Sequence, residues 1–348
     1  VPSVLRGFSA PVILDIVEDD ARLAFRMAHD SDSFNRWDAS QRYMERVVLG
    51  LAAAHAAGKP MEVPQAFGLA FRALLVNETL DPAFLAETLA LPSETYLLER
   101  MQPADPAPLR AALIHLTREL GQAMQADFLA RYLDLEVEGD YRYHPLDAGK
   151  RALRNLCLRY LAAWGGPTAI DLAAKQFEHA GNMTERYGAL VALVQSDAPR
   201  RIDALAAFHE RYKDDALVLD KWFQLQAGAW RWSDSAPATL DQVRALMANP
   251  AFSLSNPNKV YSLLGTYFKA NAAEFHRPDG AGYAFWAEQV VALDKSNPQV
   301  ASRMARSLEG WRKFTPEIQA RIRLALEKVA AAQGLSPDVT EIIGKALA

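Results

Sequence analysis

The sequence contains a single cysteine, Cys157, so it can hold no internal disulfide and fits a reducing compartment; cytoplasm is the expected location. No run approaches the roughly 18 consecutive apolar residues of a membrane span, so no membrane partner is expected. An excess of one sign of charge is also missing. The 38 basic and 42 acidic side chains leave a formal net charge of -4, with no concentrated basic face for nucleic acid. There is no glycine-rich phosphate loop, dinucleotide fingerprint or Gly-x-Ser-x-Gly elbow, and so no sign of the chemistries those carry. Gly280-Ala281-Gly282 lacks a preceding strand and reads as a turn. No charged segment with an apolar core follows Val1, so the sequence shows no secretory signal, and Val1-Pro2-Ser3-Val4-Leu5-Arg6 reads as the continuation of a longer polypeptide.

What is present is helical. At 348 residues, half of them hydrophobic and 23% charged, the chain can bury a large core. One segment, 10–17, is β-branched and partly alternating, and it reads as a short strand that needs partners this sequence does not supply. From about Asp20 onward apolar residues recur at three- and four-residue spacing. The segments are 34–57, 64–76, 108–133, 146–164, 170–180, 186–194, 202–212, 217–229, 240–247, 260–275, 283–293, 300–311, 318–332 and 339–347. Six pairs, Asp81-Pro82, Asp105-Pro106, Asn256-Pro257, Asn297-Pro298, Thr315-Pro316 and Ser336-Pro337, place a capping side chain before a proline. The oxygen satisfies an orphan N–H, and proline at the first helical position loses nothing by lacking its own. Many short helices in a chain of this length predict an all-α superhelical array of antiparallel helix pairs, armadillo/HEAT-like, without a fixed-period consensus. Surface loops are expected over 136–143, 233–238 and 277–282. The expected organisation is a leading segment, 1–19, and one helical domain, 20–348.

Metal ligation has little support. No two of the seven histidines share the one-turn spacing that puts both imidazoles on one helical face; in His209-Glu210-Arg211-Tyr212-Lys213 a lysine stands where the second would be. Cys157 sits among apolar neighbours and reads as an inert buried thiol. The acid pairs Asp19-Asp20 and Asp214-Asp215 are expected at helix ends. The aromatic residues fall mostly on apolar stripes, as at Trp222-Phe223 and Phe285-Trp286, and read as core.

Several segments occur together in a recognisable order. They are Phe8-Ser9-Ala10-Pro11-Val12, Phe34-Asn35-Arg36-Trp37-Asp38-Ala39, Arg151-Ala152-Leu153-Arg154-Asn155-Leu156-Cys157-Leu158-Arg159, Gln176-Phe177, Asn182-Met183-Thr184 and Asp220-Lys221-Trp222-Phe223. Later come Asn256-Pro257-Asn258-Lys259, Ala272-Ala273-Glu274-Phe275-His276, Asp279-Gly280-Ala281-Gly282-Tyr283, and Asn297-Pro298-Gln299-Val300-Ala301-Ser302-Arg303. In this order they resemble the end of the bacterial aminopeptidase N family over essentially the whole chain. That family's His-Glu-x-x-His zinc motif occurs nowhere in the sequence.

The resemblance implies the C-terminal helical domain of a zinc exopeptidase that removes N-terminal residues from peptides, without catalytic or zinc-binding residues of its own. Zinc would belong to the parent enzyme, no cofactor to this chain. The implied partners are the catalytic and β-sandwich domains of the same polypeptide, and peptide substrates meeting the helical wall of an internal chamber. Without those domains the chain is expected to expose an apolar patch. The residues themselves suggest a site for a peptide's backbone carbonyls or carboxylate. Asn256 and Asn297 cap helix starts, Lys259 stands in the first turn of one helix, and Gln299 and Arg303 lie four apart on the other. With Tyr261, which falls where relatives can carry arginine, Asn256, Lys259, Gln299 and Arg303 are the substrate-contact candidates. A stand-alone helical-repeat scaffold that binds a protein or peptide is the alternative.

Overall fold

Proline decides where many helices begin. The computed structural model describes residues 1–196, 198–233 and 237–348. All six capped prolines open a helix in it. Asp81 accepts hydrogen bonds from the N–H groups of Ala83 and Phe84, Asn297 from Val300 and Ser336 from Val339. Thr315 makes no such side-chain bond; its own N–H donates to the Ala104 carbonyl at 3.2 Å. The acid pairs also sit at helix ends: Asp19 caps the first helix, which starts at Asp20, and Asp215 caps the helix starting at Ala216.

The helices are α1 (Asp20–His29), α2 (Ser33–Ala56), α3 (Gln65–Leu75), α4 (Pro82–Leu89), α5 (Glu94–Arg100), α6 (Pro106–Ala123), α7 (Gln125–Asp134), α8 (Pro145–Trp164), α9 (Pro167–His179) and α10 (Met183–Val194). They continue as α11 (Arg200–Tyr212), α12 (Ala216–Ala227), α13 (Thr239–Met247), α14 (Pro257–Val260), α15 (Thr266–Ala270), α16 (Ala272–Phe275), α17 (Ala281–Asp294), α18 (Pro298–Ala305), α19 (Pro316–Ala330) and α20 (Pro337–Leu347). A π-turn over Tyr261–Gly265 joins α14 to α15. The fold is all-α, and the described residues hold no sheet, only an isolated bridge between Ala104 and Phe314.

Three expectations need correction or restriction. The strand expected over 10–17 does not form: a single strand leaves its backbone groups unpaired, no partner strand is present among the described residues, and Ile13 and Val17 stand 99% and 89% exposed. The apolar periods 108–133 and 260–275 are each broken, at Met124 (φ -118°, ψ 23°) and at Asn271 (φ -122°, ψ 64°). Of the three expected loops, 233–238 falls partly outside the described residues.

The helices group into two compact units. Val1–Ser93 and Ala111–Ala204 make up unit 1; Glu94–Arg110 and Leu205–Ala348 make up unit 2.

In unit 1, α1 packs on α2 and α3, while α8 is flanked by α4, α7, α9 and α10. An aromatic core runs from Tyr43 through Phe67 and Phe71 to Phe128 and Tyr160, the last two rings stacked at 4.8 Å. Tyr160 donates its buried hydroxyl to the Leu89 carbonyl at 2.8 Å. Gly121 is required here, because a Cβ would lie 2.3 Å from the Tyr160 carbonyl oxygen. The leading segment is tied down at both ends. Ser3 donates to Asp30, Asn35 donates to the Val4 carbonyl, and Glu18 receives Arg26 at 2.7 Å and Arg42 at 2.6 Å. Between these ties an apolar strip faces solvent. Phe8, Phe34 and Trp37 form a continuous exposed aromatic row, with ring separations of 4.7 and 5.6 Å.

In unit 2, α17 packs on α18 and α19, and α20 packs on both of these. Trp222, Phe223, Phe285 and Trp286 are all buried, as their apolar spacing predicted. Trp286 donates to the Met304 carbonyl at 3.0 Å. The motif at 272–283 is a structural cluster: His276 lies among Phe275, Tyr283 and Phe314, and a Cβ on Gly282 would meet the Phe275 carbonyl at 2.3 Å. A buried ion pair completes the unit. Arg110 donates to both oxygens of Glu94 (2.9 and 2.6 Å) and to Asn271 (3.1 Å).

Candidate functional site

Two helix starts in unit 2 present the candidate residues. The Asn256 side chain caps α14 by accepting from the N–H groups of Asn258 and Lys259. The Asn297 side chain caps α18 in the same way, 3.1 Å from the Val300 nitrogen. The π-turn then carries the backbone past Tyr261. Wide turns of this kind recur at functional positions.

The structure brings Arg303 and Tyr261 together. Arg303 Nη1 donates to the Tyr261 hydroxyl at 3.0 Å, and the guanidinium lies 5.7 Å from the ring centroid. Arg303 is exposed, and Gln299 stands exposed one turn earlier on α18. A guanidinium offers five N–H donors, so donors remain for a carboxylate or carbonyl after the tyrosine is served. Lys269, which the sequence did not single out, belongs to the same surface. Its ammonium is held below the ordinary lysine range by burial first, then by the positive charges of Arg303 and Arg306. Arg306 is itself paired with Glu309 at 3.2 Å, so Arg303 is the cation of this group that keeps donors for an anionic group. No sequence signal marks Lys269, which stands 34 residues before Arg303 in the chain.

Lys259 needs correction as a free contact residue. It is only 5% exposed, and its Nζ donates to Asp220 Oδ1 and to the Ala216 carbonyl, both at 2.7 Å. The first turn of α14 rests on α12, so this ammonium holds two helices together. Asn256, although exposed, has its side-chain oxygen engaged in the cap.

Among the described residues no three His, Cys, Asp or Glu side chains are placed to hold a metal ion. Lys213, where a second histidine would stand, pairs instead with Glu210 at 2.6 Å. Cys157 is fully buried, and burial pushes its thiol up to about 12. An aromatic disulfide reagent at pH 8 is expected to leave it unmodified in the native protein and to titrate one thiol per chain after denaturation. Modification of the native protein within minutes would contradict this burial.

These helix pairs define the chain as a helical-repeat domain. The family described as a domain of unknown function (DUF3458_C), ARM repeats, matches residues 20–348. The chain belongs to that family and is the C-terminal domain of aminopeptidase N-like proteins. It is 38% identical over 348 residues to aminopeptidase N of Escherichia coli (strain K12), and all of it is covered. It is 39% identical to aminopeptidase N of Caulobacter vibrioides, again over its whole length. In both cases the chain spans 39% of the relative's length. Among solved structures, Legionella pneumophila aminopeptidase A in complex with aspartic acid matches with a TM-score of 0.85 and 30% identity, over 99% of this chain and 40% of that one. No helix among the described residues is long and apolar enough to cross a membrane.

Proposed function

We propose that this chain forms the helical wall of the reaction chamber in a zinc-dependent aminopeptidase, with catalysis and metal binding supplied by the rest of a longer polypeptide. The single observation that carries this reading is the coverage: the whole chain aligns with aminopeptidases of which it spans 39%. In this reading residues 1–19 are the end of a preceding β-sandwich domain or a linker, and 20–348 are one helical domain that limits substrate length. The exposed row of Phe8, Phe34 and Trp37 packs against that sandwich. Arg303, steadied by Tyr261 and helped by Gln299, meets the backbone carbonyls or C-terminal carboxylate of a peptide whose amino end lies at zinc. The site is cytoplasmic.

Two assays test this. The isolated chain, with or without added zinc, is expected to show no turnover of an alanyl chromogenic substrate; activity above background overturns the proposal. In the complete polypeptide, Arg303→Ala is expected to raise KM for tri- and tetrapeptides about tenfold, the loss of one charge-assisted hydrogen bond. The kcat on the short chromogenic substrate should change little. Equal effects on short and long substrates would remove Arg303 from the chamber wall.

A further inference from the structure

A second site lies wholly within unit 1. Residues from the loop after α7 and from α8, α9 and α10 enclose a pocket of about 480 Å³, within the roughly 300–1,000 Å³ range of small-molecule sites. Arg151 and Arg154 both line it, one turn apart on α8, and their situations differ. Each of the three Arg154 nitrogens already donates, to the Tyr132 carbonyl, Glu185 and Glu136 at 3.1, 3.0 and 3.2 Å. Arg151 is 4% exposed, and its buried Nε has no hydrogen-bond acceptor. The Glu185 carboxylate stands 3.8 Å from it, and the oxygen on that side receives Asn182. The guanidinium lies 4.9 Å from the centroid of the Tyr141 ring.

Gln176 is the counterpart. Its Nε2 donates to Asn155 Oδ1 (2.8 Å) and to the Glu185 carbonyl (2.9 Å), which fixes the amide orientation. Its Oε1 is then left buried with no donor, in a residue only 7% exposed. The same pocket thus holds a buried donor without an acceptor and a buried acceptor without a donor. A native fold seldom leaves such groups unpaired. Three cations (Arg151, Arg154 and Lys175) and two carboxylates (Glu136 and Glu185) line the walls, leaving one positive charge in excess.

We infer that this pocket binds an α-carboxylate carrying a nitrogen-borne hydrogen on the adjacent carbon, as in a free amino acid or the C-terminal residue of a peptide. The carboxylate satisfies Arg151, with Lys175 near the mouth, and the N–H or ammonium satisfies Gln176 Oε1. A phosphate dianion fits worse, since two carboxylates would repel it and it brings no nitrogen donor. This inference stands apart from the proposed chamber wall, whose residues belong to unit 2.

Isothermal titration of the protein with N-acetyl-L-alanine and with L-alanine tests the inference, with acetate and inorganic phosphate as controls. Saturable one-to-one binding of either nitrogen-bearing ligand, at least tenfold tighter than both controls, is expected. Arg151→Lys and Tyr141→Ala should each weaken it tenfold or more. Tyr141 is 52% exposed, so its removal leaves the fold intact, and unchanged circular dichroism verifies this. Binding of N-acetylalanine alone marks a peptide C-terminus as the source; binding of alanine alone marks the free amino acid. No saturable heat from either ligand, an equal affinity for acetate or phosphate, or binding untouched by both substitutions overturns the inference.

Discussion

Glu94→Ala is expected to destabilise the protein by about 3–5 kcal/mol, the usual consequence of removing one partner from a buried ion pair. Glu94 and Arg110 are 7% and 5% exposed, and Arg110 donates to both carboxylate oxygens. Without Glu94 the guanidinium keeps, among the described residues, Asn271 at 3.1 Å and the Trp230 ring at 4.4 Å. A charge so deeply placed with no counter-charge is strongly disfavoured. The damage should extend to Asn271, whose amide donates to the Ala227 and Ala229 carbonyls and so fixes the break between α15 and α16. Equilibrium urea unfolding followed by tryptophan fluorescence measures the loss. The double variant Glu94→Leu, Arg110→Met should recover most of it, since two matched apolar side chains bury no uncompensated charge. A single-variant loss below about 1 kcal/mol would show that water reaches the pair.

Acid should destabilise unit 2 through His276 before the carboxylates respond. Its imidazole is almost wholly enclosed, with Nδ1 2.8 Å from the Tyr283 hydroxyl and Phe314 at a ring separation of 4.3 Å. Burial, with a smaller contribution from the charge of Lys313, pushes it down from 6.5 to about 3. Between those values the unfolded chain binds a proton that the folded chain refuses. This contribution is complete well above pH 6.5 and falls as pH drops, by about 2 kcal/mol between pH 6.5 and 4.5 for this one group. Carboxylates such as Asp279, held below its ordinary range by the Arg277 hydrogen bond, lose their contribution only at more acid pH. His276→Asn keeps a polar atom near Tyr283 and removes the titration. The slope of stability against pH between 6.5 and 4.5 should then shrink by about one proton. An unchanged slope would place the acid sensitivity elsewhere.

Short-range chemistry was the most legible part of the chain. Each capped proline opened a helix, because the cap bond and the missing N–H act within one turn. Buried pairs such as Trp222-Phe223 followed from apolar period alone. Features that depend on distant partners were hidden. The break at Asn271 rests on carbonyls more than forty residues earlier in the chain, so 260–275 looked continuous. Lys259 looked free because Asp220, 39 residues away, could not be paired with it from spacing. The Arg303–Tyr261 contact spans 42 residues; the sequence nominated both members without showing that they touch. The β-branched run at 10–17 carried a genuine strand propensity that went unmet for want of a neighbouring strand.

The π-turn at Tyr261–Gly265 makes chain length there a matter of aim. Such a turn accommodates one residue more than an ordinary helical turn. Deleting one residue within 263–265 would let the segment tighten into regular helix while α14 and α15 keep their phase, because the wide turn had already absorbed the extra residue. The local backbone that aims Tyr261 at the Arg303 guanidinium would change while its identity and its immediate neighbours in sequence stayed the same. Alignments of this stretch should therefore be judged by gaps as much as by residue type.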